Sequence, residues 1–517
     1  MNGGVGRAPW IIGGNGPGNG AQGAGPWWAR RGLAGPDMLQ ALYEAGVGTP
    51  DTDGGAPAPP RRGAGPAVPA AVLAGVVLAV MVLSSQAFPS AILSRVLVPV
   101  FGLLAAVAAA QWLAARHLDE PWIARFLVLG VIAKEVASIL RYRTLVNSYG
   151  DVGDASVFDT YGRRFSALWL GHTNAVPTLT NIRKSNFLRW FTGVVYYIFG
   201  TDMIAGFVVF GLIAFIGSYL WYRASVEAVP FLDKRLYFVI VMFVPSILFW
   251  PSSIGKEALM QFAIGSTALG TAHLFNGKLV RGILVAIPGA WLMWIVRGHL
   301  LALVVLAAAV AYVFGRGPRA NRAVLSTASL VKPIGLVIIA FVLVFAVGQG
   351  AKSLGLPSLT LSSVQAELDA TTINTQQGHS AFNNGGNSLS PLHLPQGMVT
   401  VLLRPFPWEV KGSLQILASL EGVALAAFIV LRRKSLAISL RHLRSVPFLF
   451  YCWTLTILYA VTFQAFANFG LLDRQRSLVL PALYVLLCLD TKKAREYDDE
   501  QHVRVLREIE YAGRAAP

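Results

Sequence analysis

The sequence predicts an all-α fold, a polytopic transmembrane helical bundle of about twelve spanning helices. Three observations predict it. Of 517 residues, 55% are hydrophobic and only 13% charged, with a mean hydropathy of +0.56, a make-up outside that of ordinary soluble domains. Apolar runs long enough to cross a bilayer recur along the chain, separated by loops. The Lys and Arg residues behind the net charge of +17 are spread through those loops and form no single stripe, which argues for membrane topology and against nucleic acid as a partner.

The elements follow in order. Residues 1–66, rich in Gly, Ala and Pro, cannot bury enough apolar surface to offset the entropy of ordering, and read as a disordered cytoplasmic tail. The first apolar stretch begins near Val68 and has spanning length, longer than a signal-peptide core, so it is expected to stay as a membrane helix. Spans are expected near 68–88, 96–115, 122–140, 203–222, 236–250, 258–276, 282–296, 300–315, 333–351, 414–431, 446–466 and 477–489, within a membrane domain of 67–490. The basic short loops 223–235, 278–281, 316–332 and 432–444 and the charged tail 491–517 fall on one side if both termini are cytoplasmic. That orientation, in the cell membrane, puts two long loops outside, 141–202 and 352–413. Cys452 and Cys488 both lie in apolar runs and read as packing residues, with no disulfide framework or metal knuckle.

The first outer loop has internal order. Val157, Tyr161, Phe165 and Trp169 recur every four residues beside Arg163 and Arg164, the pattern of an amphipathic helix at the interface. Asp159 reads as an exposed residue of that helix. An aromatic segment, 187–199, then leads through Gly200-Thr201-Asp202 into the next span. In the second loop, 371–387 is rich in Thr, Gln, Asn and Gly and reads as a mobile cover over a bound acceptor. No Walker motif, dinucleotide fingerprint, zinc spacing or nucleophile elbow stands in a credible context, and there is no clear internal repeat.

Polar clusters sit at the outer boundary of several spans: Gly150-Asp151-Val152-Gly153-Asp154, 252–257, Arg297-Gly298-His299, 404–409 and Asp473-Arg474-Gln475-Arg476. An acidic outer loop, two interfacial helices, an aromatic run ending in Phe-Gly-Thr, and the stretch Val244-Pro245-Ser246-Ile247-Leu248-Phe249-Trp250-Pro251-Ser252-Ser253-Ile254-Gly255-Lys256-Glu257 together resemble the GT-C glycosyltransferases. The likeness covers roughly 120–310, and Asn468-Phe469-Gly470 with the cluster after it is loosely similar to O-antigen polymerase-like proteins. One departure stands out: the acidic loop follows the third expected span, where the family pattern has it after the first. The resemblance implies a polyprenyl-phosphate-linked sugar as donor, an envelope glycan, lipid or protein as acceptor, and contact with membrane lipids.

Glycosyl transfer needs a carboxylate to take a proton from the acceptor hydroxyl and positive charge to stabilise the departing phosphate. Asp151 and Asp154 suit the first role, and their glycine neighbours permit tight turns at the membrane surface. No cofactor is expected, although a divalent cation at Asp151 and Asp154 is compatible with the pair. Lys256, Glu257, Arg297, His299, Arg404, Arg474 and Arg476 are the candidates for substrate and phosphate contact, set against a plain alternative in which each cation anchors a helix end. His299 leans toward packing. Lys134, Glu135 and Glu421 fall inside expected spans, where a charge needs a partner, and are as suited to interhelical pairing as to function. Three readings follow: a membrane glycosyltransferase, an O-antigen-type polysaccharide polymerase, and a lipid-linked glycan flippase or transporter.

Overall fold

The computed structural model describes residues 75–76, 91–116, 120, 122–179, 181–315, 360–376, 380–383 and 393–514. The expected tail 1–66, the basic loop 316–332, the span 333–351 and nearly all of 68–88 lie outside the described residues. Within them the chain is helical, with two isolated β-bridges and no strand. The helices are α1 (Ala91–Arg116), α2 (Trp122–Tyr149), α3 (Asp154–Trp169), α4 (Ser185–Phe199), α5 (Met203–Ala228), α6 (Lys234–Phe243), α7 (Pro245–Phe249), α8 (Lys256–Phe275) and α9 (Leu279–Val296). They continue as α10 (Gly298–Phe314), α11 (Leu361–Thr375), α12 (Leu394–Leu403), α13 (Ser413–Leu431), α14 (Arg433–Arg441), α15 (Pro447–Phe463), α16 (Phe469–Leu487) and α17 (Thr491–Arg514).

Four of these contain segments long and apolar enough to cross a membrane: Leu93–Leu113, Met203–Ala228, Leu279–Val296 and Ser413–Leu431. Two shorter apolar helices, α10 and α15, accompany them. The span expected at 236–250 is broken into α6 and α7. Pro245 has no N–H to continue a helix and disfavours helical backbone at Val244, which is extended.

The core is built from α5, α8 and their neighbours. A Cβ on Gly265 would collide with the carbonyl oxygen of Gly217, so these two glycines let α5 and α8 cross backbone to backbone. Aromatic residues fill the interior around this crossing, with Trp221, Tyr237, Tyr451 and Phe448 buried. Cys452 and Cys488 are unpaired and buried within it, acting as small apolar side chains.

The loop expected outside, 141–202, forms a helical hairpin of α3 and α4. Its buried stripe is Phe158, Gly162, Phe165 and Ser166, rotated from the expected one, and Val157 is exposed. The aromatic period runs through Phe165, but the close approach of α4 selects the small residues as contact points: Thr192 packs on Gly162 and Phe165 on Gly193. Asp159 also departs from its expected exposure. It accepts hydrogen bonds from the Tyr196 hydroxyl and from Arg163 Nε (2.8 Å), tying α3 to α4. Arg95 of α1 pairs with Asp202 at 2.8 Å, and Asp202 in turn caps α5 through the Ala205 N–H at 2.9 Å.

Candidate functional site

Each side chain of the site arrives from a different element. The turn between α2 and α3 runs through left-handed backbone at Gly150 (φ 57°) and Asp151 (φ 61°), a conformation that Gly and Asp tolerate better than most residues. It reverses the chain so that Asp154 opens α3 beside the last turns of α2. After α7 the chain winds through 250–255, all six residues buried, and delivers Lys256 and Glu257 to the first turn of α8. Arg297 and His299 flank the junction of α9 and α10, and Arg474 and Gln475 lie in the first turns of α16.

These residues enclose a cavity of about 330 Å³ lined by Arg141, Asp154, Trp250, Lys256, Glu257, Arg297, His299, Arg474 and Gln475, among others. Six of the nine residues singled out from sequence therefore meet. The other three lie elsewhere. Asp151 accepts a hydrogen bond from Ser156 Oγ (2.8 Å) within its own turn and does not line the cavity. Arg404 is engaged by Glu409, with Nε 3.0 Å from Oε1, and lies over the Phe382 ring. Arg476 is 1% exposed and holds the carbonyls of Leu402 (3.1 Å) and Arg404 (3.0 Å) and the carboxylate of Asp473 (3.0 Å), which makes it a brace between α12 and α16.

Inside the cavity the charges divide into two groups. Arg297 and Glu257 form a close pair, Nη2 to Oε1 2.7 Å, and Arg297 Nη1 also donates to Gln475 Oε1 at 2.9 Å. The same Gln475 oxygen accepts from the Tyr459 hydroxyl at 3.3 Å. Burial pushes the Glu257 carboxyl upward, but the charges of Arg297 and Arg474 overcome it and hold the group at about 2. This pair is ionised and internally satisfied.

The second group is cationic and lacks such satisfaction. The guanidinium carbon of Arg141 lies 4.9 Å from the Trp250 ring centroid, and that of Arg474 lies 5.3 Å from the same centroid. Both are attracted to the π-face, yet they repel each other. Arg141 is 7% exposed, and its Nε and Nη1, like Nε of Arg474, have no hydrogen-bond partner among the described residues. Burial, reinforced by the Arg474 charge, lowers the Arg141 guanidinium to about 10. Lys256 is also lowered, first by burial and then by Arg297, with Asp154 and Glu257 working against the shift. Four cations against two carboxylates leave the lining with two surplus positive charges. Unpaired guanidinium donors in a cavity are costly, and an oxyanion offering several acceptor oxygens relieves both the repulsion and the missing hydrogen bonds.

His299 also lines the cavity, its ring 6.0 Å from that of Phe463 in an edge-on contact. Sequence reasoning missed Arg141, although it is the first residue after the expected span 122–140 and thus a boundary arginine like those selected. Trp250 stood inside the quoted stretch without a role, and Gln475 stood between two selected arginines. No group of three or more His, Cys, Asp or Glu side chains that could hold a metal occurs among the described residues.

No family model matches the chain, no curated protein matches it, and no solved structure matches it.

Proposed function

We propose that this chain is a multi-pass membrane glycosyltransferase with a GT-C-like arrangement, both termini cytoplasmic, that moves a sugar from a polyprenyl-phosphate donor to an extracytoplasmic glycan, lipid or protein acceptor. The observation that carries the reading is the pairing, in one cavity, of unpartnered buried arginine donors with Asp154. In this reading Asp154 takes the proton from the acceptor hydroxyl, and the freed oxygen attacks the anomeric carbon. The anomeric C–O bond breaks, and its electron pair leaves with the lipid phosphate, which Arg141, Arg474 and Lys256 hold. The Arg297–Glu257 pair keeps Gln475 and the cavity wall in place.

A lipid-linked donor is favoured by a second space. An apolar groove of about 430 Å³ lies between α1, α2 and α5, lined by Phe101, Ala105, Trp112, Leu127 and Phe215. Helix α2 joins the two: Leu127 and Val131 face the groove, and Arg141, Leu145 and Tyr149 face the charged cavity. The excess of cations over carboxylates favours one alternative, an O-antigen-type polymerase acting on a lipid-pyrophosphate oligosaccharide, whose leaving group carries more charge. A flippase for lipid-linked glycan is the third reading.

Purified protein incubated with short-chain polyprenyl-phosphate sugars and an envelope acceptor fraction tests the proposal. Formation of a glycoside with release of polyprenyl phosphate supports transfer. Cells lacking the protein then separate the readings: glycans missing one sugar fit the transferase, and accumulated single repeat units fit the polymerase. If no glycosidic bond forms with any lipid-linked donor while lipid-linked glycan stalls on the inner leaflet, both enzyme readings fail.

A further inference from the structure

The residues that build the cavity floor hang from α7, a helix of five residues, too short to be stable by itself. Polar side chains from two separate helices hold its two ends. At its start, Glu421 of α13 accepts from the Ser246 N–H (2.8 Å) and from Ser246 Oγ (2.5 Å). At its end, Lys134 of α2, 2% exposed, donates to the carbonyls of Ile247 (3.1 Å) and Leu248 (3.0 Å). These are the donors and acceptors that a single helical turn leaves unmet, and burial makes them expensive to leave so. Ser252 adds a bond from its hydroxyl to the Leu248 carbonyl at 2.5 Å, extending the hold into the segment that runs to Lys256. Phe249 and Trp250, which follow directly, are the rings on which Arg141 rests.

Lys134 and Glu421 do not line the cavity, and neither pairs with Glu135 or with the other. We infer that Lys134 and Glu421 are positioning residues that grip the Pro245–Phe249 turn by its two ends and so fix Trp250 and Lys256 in the anion-binding cavity. The inference rests on the reading of that cavity as an anion site. It gives two intramembrane charges a task other than ion transport or mutual pairing.

The test uses the full chain in detergent, with inorganic pyrophosphate as the probe and its Kd read by calorimetry. Lys134→Met and Glu421→Gln should each weaken binding roughly tenfold, as expected when a buried polar group loses its partner and the supported turn shifts. Lys134→Arg, which still reaches the carbonyls, should restore most of the affinity. Because both residues act on one turn, the double variant should lose little more than the worse single variant. Ser246→Ala, which removes one bond and no charge, should give a smaller loss in the same direction, and it serves if the charge variants do not stay monodisperse.

Unchanged Kd in both single variants, or a lower unfolding temperature with unchanged Kd, overturns the positioning role while the anion reading stands. Fully additive losses overturn the shared grip. Failure of the unaltered chain to bind pyrophosphate overturns the anion reading itself and the inference with it.

Discussion

Arg141 and Arg474, 333 positions apart in the chain, converge on one indole, with guanidinium carbons 4.9 and 5.3 Å from the Trp250 centroid. Like charges are brought this close in a buried site only if something offsets them. The Trp250 π-face supplies part of that offset, and an anionic ligand would supply the rest.

Arg141→Gln and Arg474→Gln should each lower affinity for pyrophosphate or a polyprenyl-phosphate donor by roughly tenfold to a hundredfold, the range for a lost charge-assisted contact. Either change also relieves repulsion, so the unfolding temperature should hold or rise. A matched loss of affinity and thermal stability would point to a purely structural arginine pair.

Asp154→Asn should abolish transfer, with kcat down on the order of 10²- to 10⁴-fold and donor affinity little changed. Asp151→Asn should leave most activity, since Asp151 bonds within its own turn and does not line the cavity. Steady-state rates of the two variants at equal membrane abundance decide the assignment, and the reverse ranking would move the base to Asp151.

The Glu257–Arg297 pair sets a stability window at acid pH. Glu257 is held at about 2 in the folded chain against an ordinary value of 4.5. A carboxyl depressed by folding contributes stability that is fully present above the unfolded value and is lost as pH falls through 4.5 toward 2. The loss amounts to up to about 3 kcal/mol. Glu257→Gln should therefore be less stable than the unaltered chain at neutral pH, and the two unfolding temperatures should converge near pH 2.

Anion binding should weaken at alkaline pH. Lys256, lowered from 10.5 by burial, binds an anion in its protonated form, so affinity is full at neutral pH and falls as the ammonium loses its proton, while Arg141 keeps its charge. Calorimetric titrations with pyrophosphate between pH 7 and 10 measure the fall. Lys256→Gln should lower affinity at neutral pH and flatten the profile.

Helix class and the clusters at the ends of the apolar runs were legible because burial in lipid imposes long apolar runs and leaves charge at their ends. Asp154, Lys256, Glu257, Arg297, His299 and Arg474 could be grouped on that basis alone, before any contact was known. Arg404 and Arg476 looked identical in sequence, but what separates them is local: a glutamate five residues on for Arg404, and for Arg476 a helical phase that turns it from the cavity toward Leu402 and Arg404. Arg141 and Trp250 were hidden for the opposite reason. Their importance comes from a contact across more than a hundred residues, which periodicity does not encode. The buried face of α3 was misjudged because the partner helix chose Gly162 as its contact over the larger residues nearby.

Arg476 has a bearing on how a ligand arrives. Because it ties α16 to the end of α12 through two carbonyls, swinging α16 outward would break buried bonds on its far side. The 150–153 turn is held by local bonds alone, from the Asp151 N–H to the Leu145 carbonyl (3.1 Å) and from the Val152 N–H to the Tyr149 carbonyl (3.0 Å), and Val152 is 79% exposed. Val152, Gly153 and Asp154 all line the cavity, so this turn is an exposed part of its wall, and under the proposed transferase reading an incoming hydroxyl would reach Asp154 before the more deeply buried Arg141.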